Sequence, residues 1–408
     1  MNLNNTFRAF SNRNYALFFT GQSISQVGTW MQRTAVMWVI YTLTHSEFML
    51  GFVIFAQQFP SFILSLFGGI VADRYNRHKI LLITQTASMI QAVLLAILVW
   101  TGHVVIWEIL SLSVILGIIN AFDMPARQTM IHDMVDNKEN IANALALNSA
   151  MVNMARLAGP ALSGIVLQAF GAGTCFSLNA LSFVAVLISL LIMKFPESSP
   201  AAVRKKVSSE LYEGYQYVKH TPSIAGILIV LTTLCLFVMP YDTILPVFAK
   251  VIFKGDAATF GYISSCIGLG AILASLILAS RPKSSSLLVP LVLSIALLGL
   301  GLMVFSTITS FPLSLPFSVL IGIGTLTPMT VCITIAQMEA AAPMRGRVMS
   351  FVALSYFGML PLGSLLTGSL SQKYSAPLVM FIQGVIALLI ALSFGIYQRS
   401  LRLKEKAD

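Results

Sequence analysis

Three charged side chains fall deep inside long apolar stretches of this sequence, and their chemistry is the first guide to function. Arg33 and Asp242 lie at similar depths in the first and seventh stretches, and Arg156 lies in the fifth. A charge inside a bilayer is costly, so such residues bind a ligand, carry a proton or pair with one another. We predict that Asp242, the one deep carboxylate, carries a proton and faces Arg33, the alternative being that it already lies at the outer interface. Arg156 is predicted to bind an anion.

Uncharged polar side chains recur at helical spacing along the same stretches, where they could line a binding cavity. The candidates are Gln22, Gln26 and Trp30 beside Arg33 in the first stretch, Gln57 in the second, Asn153 beside Arg156 in the fifth, and Thr330, Thr334 and Gln337 in the tenth. Each isolated Gln or Thr could instead hold neighbouring helices together by hydrogen bonds, and both interpretations stay open here.

The elements that carry these residues are predicted to be membrane-spanning helices. Of the 408 residues, 57% are apolar and only 10% are charged, against roughly a quarter in a soluble domain. This composition excludes soluble enzymes and disordered chains. Twelve apolar spans cover about 15–43, 48–72, 79–101, 105–125, 141–168, 172–193, 223–249, 257–280, 286–307, 311–337, 346–371 and 377–398, each near the roughly 20 residues that cross a bilayer. The sequence predicts an all-α membrane protein with twelve transmembrane helices.

A polar, basic stretch divides the chain into two similar parts. It covers 194–222 and is interpreted as a cytoplasmic linker, within which Ser208–Lys219 could form a surface helix. The matching prolines of the two parts, at a nearly constant offset, are Pro125 with Pro328 and Pro160 with Pro361. Paired halves are typical of secondary transporters. We predict two pseudo-symmetric six-helix bundles, in 1–193 and in 223–408, the second with a basic C-terminal tail.

The distribution of basic residues predicts the orientation in the membrane. Most of the 25 Lys and Arg residues fall in alternate connectors and near both ends, which places the N- and C-termini in the cytoplasm. The net charge of +10 is therefore assigned to topology, without a nucleic-acid partner. Met1–Tyr15 lacks the short apolar core of a signal peptide, so it is interpreted as a cytoplasmic arm.

Residues that would indicate an enzyme or a metal centre do not group in this sequence. The four cysteines show no paired spacing, and the five histidines are scattered singly. We find neither a phosphate-binding glycine loop with its lysine nor a nucleophile signature. We therefore expect no enzymatic step, no metal and no cofactor.

The segment from Gly69 to Lys79, GIVADRYNRHK, resembles the signature loop of the major facilitator superfamily. In that loop a glycine precedes Ala-Asp-Arg and then Gly-Arg-Lys. Here Asn76 replaces the second glycine, and asparagine tolerates a left-handed turn. A generic basic connector would explain the cations but not Asp73 or Gly69.

This resemblance implies a conformational latch on the cytoplasmic side, made of Gly69, Asp73, Arg74, Arg77 and Asp123. Asp73 would cap the start of span 11, because a helix N-terminus favours an anion. Arg77 would pair with an acidic residue at the cytoplasmic end of span 4, where Asp123 lies. Such contacts form in the outward-facing state and break when the halves separate on the inside.

Two further segments resemble parts of the same superfamily. Span 5 carries Gly159, Pro160 and Gly164 in the order Gly-Pro-Ala-Leu-Ser-Gly, which resembles the antiporter motif, although an ordinary packing kink would look the same. The stretch from Phe10 to Gln32 resembles a branch that includes bacterial siderophore exporters of the enterobactin type. The arginine that drug–proton antiporters often carry within span 4 is missing here.

The resemblance implies the major facilitator fold and a secondary active transporter that works by alternating access. We expect a proton-coupled exporter of a siderophore-like or other anionic or zwitterionic small molecule, monomeric, in the inner membrane of a bacterium. One alternative is multidrug efflux of amphipathic compounds. A non-transporting membrane receptor or assembly factor would not need paired halves or a latch, and a membrane-embedded enzyme would need a polar catalytic cluster.

Overall fold

The computed structural model describes residues 8–135, 138–193, 207–281 and 287–405. Throughout those ranges the chain is helical apart from short connections, and none of them contains a strand. The helices are α1 (Arg13–Thr44), α2 (Glu47–Arg74), α3 (Arg77–Trp100), α4 (Ile106–Met134), α5 (Lys138–Phe170), α6 (Ala172–Ile192), α7 (Val207–Lys219), α8 (Pro222–Phe237), α9 (Ala257–Ala279), α10 (Leu288–Thr307), α11 (Phe311–Glu339), α12 (Arg345–Ala353), α13 (Met359–Tyr374) and α14 (Ala376–Glu405). The first part of the predicted linker, 194–206, lies outside the described residues.

The prediction of an all-α membrane protein is confirmed. Eleven of the described helical segments are long and apolar enough to cross a membrane. Helix α1 is long enough at 32 residues but is not among the eleven, because Gln22, Gln26, Gln32 and Arg33 lower its mean hydropathy. Three of these four, Gln22, Gln26 and Arg33, are residues that the sequence predicts to line a cavity.

Two of the predicted spans are broken helices. After α8 ends at Phe237, span 7 continues as a 3-10 helix over Met239–Ile244, a short α-turn and a π-turn over Phe248–Ile252. Pro240 and Pro246 account for the break, because proline cannot donate the backbone hydrogen bond that continues a helix. Span 11 consists of α12 and α13, joined by a π-turn over Leu354–Gly358.

Asn76 takes a role different from the predicted left-handed turn. Its backbone is extended, with φ −63° and ψ 111°, and its side chain accepts a hydrogen bond from the Lys79 amide. Asparagine is among the best N-cap residues, because its short side chain satisfies a free helix amide. The residue that replaces the superfamily glycine therefore starts α3.

The chain forms two compact units. Each unit consists mainly of one half of the sequence and includes one short segment from the other half. Unit 1 comprises Met1–His45, Ala56–Ala202 and Asp256–Ser265, and unit 2 comprises Ser46–Phe55, Val203–Gly255 and Cys266–Asp408. In unit 1, α1 packs against α5 and α6, and α3 packs against α4 and α6. In unit 2, α10 packs against α11 and α14, and α13 packs against α8. The predicted boundary at 194–222 stays a prediction.

The inserted segments are held by close backbone contact. In unit 1, a Cβ added to Gly164 would come within 2.9 Å of the Ala257 carbonyl oxygen at the start of α9. In unit 2, a Cβ added to Gly51 of α2 would overlap the carbonyl oxygen of Ser364 on α13. Small residues at such crossings let helix backbones approach closely. The resulting van der Waals contact is a main source of helix association inside a bilayer.

The predicted surface helix at Ser208–Lys219 corresponds to α7, which is tied to the start of span 11 within unit 2. Glu213 forms an ion pair with Arg347 at 2.6 Å. The Tyr217 hydroxyl oxygen accepts a hydrogen bond from the Ala341 amide at 3.0 Å. Helix α7 is thereby attached to the connector before α12.

Candidate functional site

Two of the deep cations lie against one indole ring inside unit 1. The Arg33 Cζ atom is 5.2 Å from the centroid of Trp30, and the Arg156 Cζ atom is 5.7 Å from the same centroid. Both distances fall in the range of cation–π attraction. All three side chains are half-buried. The structure thus brings residues of α1 and α5 into one group, called the Trp30 cluster below: Trp30, Arg33 and Arg156.

The antiporter-like motif of α5 fixes the position of this indole. A Cβ added to Gly159 would overlap the Cβ atom of Trp30 and lie 3.1 Å from the Val27 carbonyl oxygen. One turn further along α5, the buried Ser163 hydroxyl donates a hydrogen bond to the Met31 carbonyl at 3.0 Å. The motif therefore packs α5 against α1, and its contact on α1 is Trp30 of the Trp30 cluster.

Arg156 carries a charge that the described part of the chain does not neutralise. No carboxylate lies within ion-pair distance of it in the ranges that the structure describes. The indole face supplies part of the stabilisation that a desolvated guanidinium needs. Its five N–H donors match the two oxygens of a carboxylate, which makes it suited to bind an anion.

The other candidates in α1, α2 and α5 differ in their surroundings. Gln22 is 2% exposed, and its Oε1 atom has no hydrogen-bond partner among the described residues. Gln26, Gln57 and Asn153 are half-buried. Gln26 precedes Trp30 by about one turn on α1, as Asn153 precedes Arg156 on α5. Gln26 and Asn153 therefore extend the polar faces of α1 and α5 on which the Trp30 cluster lies.

The polar stripe of α11 belongs to unit 2, and its hydroxyls bond within their own helix. Thr330 donates to the Leu326 carbonyl at 3.1 Å, and Thr334 donates to the Thr330 carbonyl at 2.8 Å. Such back-bonding is common for threonine in apolar helices. Thr330 and Gln337 are exposed. These hydroxyls therefore do not donate to neighbouring helices, and their oxygens stay able to accept a hydrogen bond.

A buried amide network next to the Trp30 cluster was missed by the sequence analysis. Gln32 donates to Gln91 Oε1 at 2.9 Å, and its own Oε1 accepts from Asn179 Nδ2 at 2.7 Å. Gln91 also donates to the Leu112 carbonyl at 3.3 Å. The network joins α1, α3, α4 and α6. A side-chain amide in each of three apolar spans was the available signal, but single amides do not reveal their partners.

The expected pairing of Arg77 with Asp123 is wrong. Arg77 Nη1 lies 3.0 and 2.8 Å from the two oxygens of Asp133, and its Nε donates to the Ala72 carbonyl at 3.3 Å. Arg77 is the first residue of α3, and Asp133 is the residue before the last of α4. The two side chains therefore meet where α3 begins and α4 ends. Asp123 lies about three turns deeper in α4 and cannot reach this level.

Asp123 instead holds a buried network. It is 2% exposed, and it accepts hydrogen bonds from Thr84 Oγ1 at 2.9 Å and Gln85 Nε2 at 2.7 Å. It also forms an ion pair with Arg127 on its own helix. This network fastens α3 to α4 beneath the Arg77–Asp133 pair.

The remaining latch residues lie around the connection between α2 and α3. Asp73 is half-buried, Arg74 is exposed, and a Cβ on Gly69 would meet nothing within 4 Å. Capping of span 11 by Asp73 concerns a helix of unit 2 and stays a prediction.

Asp242 lies in the broken segment of span 7, in unit 2. It is half-buried and belongs to the 3-10 helix. Its neighbour Tyr241 is buried, with its hydroxyl 3.0 Å from Thr325 Oγ1 of α11. The pairing of Asp242 with Arg33 would join the two units and stays a prediction.

Comparison with known proteins identifies relatives over nearly the whole chain. Residues 4–408 match the family model described as transmembrane secretion effector, MFS_3. The Staphyloferrin A transporter of Staphylococcus aureus (strain NCTC 8325 / PS 47) is 28% identical over 95% of this chain and 97% of its own length. The multidrug efflux pump Tap of Mycolicibacterium fortuitum is 21% identical over 86% of this chain and 90% of its own. The enterobactin exporter EntS of Salmonella typhi is 25% identical over 63% of this chain and 61% of its own.

Solved structures share the fold. A POT family transporter in complex with 5-aminolevulinic acid superposes with a TM-score of 0.74 at 14% identity, over 95% of this chain and 96% of that one. A bacterial homologue of the human lysosomal transporter Spinster gives a TM-score of 0.69 at 15% identity, over 93% and 96%. At these identities the likeness shows the fold alone.

Proposed function

The chain belongs to the transmembrane secretion effector family of the major facilitator superfamily, and from this premise we propose that it exports an anionic or zwitterionic small molecule by alternating access. The resemblance found in the sequence is thereby confirmed at the level of the family. The protein is a multi-pass membrane transporter, and its relatives are named as siderophore transporters and multidrug efflux pumps.

The sign of the substrate's charge is the part of the proposal that the geometry supports best. The carrying observation is the Trp30 cluster, in which two guanidiniums share one half-buried indole. A cationic substrate would be repelled there, whereas a carboxylate would gain charge-assisted hydrogen bonds in a setting of low dielectric constant. A siderophore with free carboxylates fits this chemistry.

The driving force proposed is the proton gradient, acting through Asp242. Support comes from its place in a broken helix, where two prolines interrupt the regular backbone hydrogen bonds. If Arg33 attracts ionised Asp242 when the outer side is closed, protonation removes the attraction and favours opening outward. A proton would then move inward as substrate leaves, which is the sign of antiport.

We place the transporter in the bacterial inner membrane, as a monomer with both termini in the cytoplasm. The distribution of Lys and Arg among the connectors supports this orientation. On the cytoplasmic side, Asp73 acts as the latch to the start of span 11, and the Arg77–Asp133 pair holds the ends of α3 and α4 together.

Multidrug efflux is the second candidate, and one observation favours it. Three phenylalanines on one face of α2 stack in sequence, Phe48 on Phe52 with centroids 5.8 Å apart and Phe52 on Phe55 at 6.4 Å. An aromatic face of this kind could receive amphipathic compounds.

Transport in everted membrane vesicles tests whether the substrate is anionic. With an imposed pH gradient, wild-type vesicles should accumulate a carboxylate siderophore, and Arg156→Ala should lower the initial rate by about tenfold or more, because a charge-assisted contact is lost. Arg13→Ala, which removes an exposed arginine of α1, should transport normally. Normal transport by Arg156→Ala at equal protein content would contradict the anionic-substrate proposal.

A further inference from the structure

The geometry of the Trp30 cluster points to the class of anion as well as its charge. We propose that Trp30 determines specificity by holding Arg33 and Arg156 as a rigid pair that binds a ligand through two carboxylates, one on each guanidinium. This inference rests on the proposed export of an anionic molecule and deepens it.

The distance between the two guanidiniums is limited by their common partner. Since their Cζ atoms lie 5.2 and 5.7 Å from the same ring centroid, they are at most 10.9 Å apart. A bidentate pair places a carboxylate carbon roughly 4 Å from its Cζ atom. Two carboxylates joined by a short flexible chain can therefore reach both guanidiniums, and each offers five N–H donors even while it makes other contacts.

Rigidity of the pair follows from what fixes the indole. An arginine on a flexible stem loses side-chain entropy when it binds, and stacking on an aromatic face removes part of that loss beforehand. The backbone on either side of Trp30 is fixed too, because Gly159 packs against its Cβ atom and Ser163 bonds to the Met31 carbonyl. The next residue, Gln32, is held by Gln91 and Asn179.

A preorganised pair selects by ligand valence. A ligand with two carboxylates engages both guanidiniums in one binding event, and the second contact costs little additional ordering. A ligand with one carboxylate engages one guanidinium and gains nothing from their spacing. Removing the indole should therefore weaken binding of the ligand with two carboxylates and leave binding of the ligand with one nearly unchanged. A simple loss of stacking area would weaken binding of both ligands.

The test measures binding of two synthetic probes to the purified full-length protein by isothermal titration calorimetry. One probe is heptanedioate, a flexible chain with one carboxylate at each end, and the other is its monomethyl ester, which keeps one free carboxylate. The wild type should prefer the first probe by about tenfold or more, the gain expected when a second charged contact forms. Trp30→Leu should bring the ratio of the two affinities close to one, chiefly by weakening binding of the probe with more free carboxylates.

Two further variants make the result interpretable. Trp30→Phe keeps an aromatic face of weaker quadrupole and should retain an intermediate preference. Trp107→Leu makes the same kind of change at a tryptophan that is 70% exposed at the start of α4, and it should bind both probes like the wild type.

The outcomes separate this inference from the function on which it rests. Equal affinity of the wild type for the two probes, or an equal loss for both in Trp30→Leu and Trp30→Phe, overturns the two-carboxylate proposal and leaves anion export standing. Binding of neither probe by the folded wild type overturns anion export itself, and this inference with it.

Discussion

A single glycine decides where the indole of the candidate site can lie. At Gly159 the backbones of α5 and α1 approach so closely that a Cβ would overlap that of Trp30. The antiporter-like motif therefore links a packing requirement to a binding requirement. It follows that a small change in helix spacing at this point should alter binding as well as stability.

Gly159→Ala tests this link. Overpacking at a close crossing typically costs about 1–3 kcal/mol, so the variant should unfold at a lower temperature and bind the anionic substrate more weakly. Both are measured on the detergent-solubilised protein, by differential scanning fluorimetry and calorimetry. Gly395→Ala is the matched control, because its added Cβ would meet its nearest neighbour only at 3.8 Å. A stable Gly159→Ala variant with normal binding would refute the role of the motif in positioning Trp30.

The sequence singled out the three members of the Trp30 cluster, but it gave neither their grouping nor the partners of other polar residues. Arg33, Arg156 and Trp30 could be predicted because charge and indole stand out against apolar surroundings. The partner of Arg77 could not, since α4 offers Asp123 and Asp133, and the choice between them depends on the depth at which α3 begins. The amide network of Gln32, Gln91 and Asn179 was missed because it depends on how three helices are rotated about their axes.

At the scale of helices, α3 and α4 are joined by two acidic residues of very different importance. Asp123 is buried with three partners, whereas Asp133 is 41% exposed and paired with Arg77. Removing one member of a buried ion pair costs about 3–5 kcal/mol, whereas an exposed pair contributes about 0–1 kcal/mol. Asp123→Ala should therefore lower the unfolding temperature strongly and Asp133→Ala only slightly. Equal effects of the two variants in thermal unfolding would contradict this ranking.

The start of α2 is capped from another helix of unit 2. Gln372 Oε1 on α13 accepts hydrogen bonds from the Ser46 hydroxyl at 2.9 Å and the Glu47 amide at 2.8 Å. Loss of an N-cap costs about 1 kcal/mol, so Gln372→Ala should speed hydrogen exchange at the amides of Glu47 and Phe48. Ser369→Ala, which removes a hydroxyl that bonds only within α13, should not. Unchanged exchange in Gln372→Ala would show that other contacts hold this end of α2.

Helix breaks differ in how visible they are in the sequence. The irregular segment around Asp242 was predictable from its two prolines, because each removes a backbone donor. The π-turn at Leu354–Gly358 contains no proline and was not predicted. Pro361 follows the π-turn and cannot donate to the carbonyl of Phe357 four residues earlier. Pro160 lies inside the continuous helix α5, so a nearby proline alone does not predict such a break. The twelve predicted spans otherwise correspond to described helices within a few residues at most ends.

At the scale of the whole molecule, the account requires that one carboxylate couple proton movement to transport. Asp242→Asn imitates the protonated form. It should keep substrate binding, because the Trp30 cluster is intact, yet lose the dependence of transport on the pH gradient. The measurement is gradient-driven transport in proteoliposomes beside calorimetric binding. Transport by Asp242→Asn that still follows the imposed gradient would move the proton to another residue.

Proton-coupled export is tested by recording the substrate flux and the proton flux in one experiment. Wild-type protein in proteoliposomes is given a carboxylate siderophore on one side and a pH-sensitive dye on the other, with an imposed pH gradient and the membrane potential clamped. For proton-coupled export, substrate and protons should cross the membrane in opposite directions, and Arg156→Ala should lose both fluxes. Substrate movement without any proton flux, or equal fluxes in the wild type and Arg156→Ala, would contradict proton-coupled export of an anionic molecule.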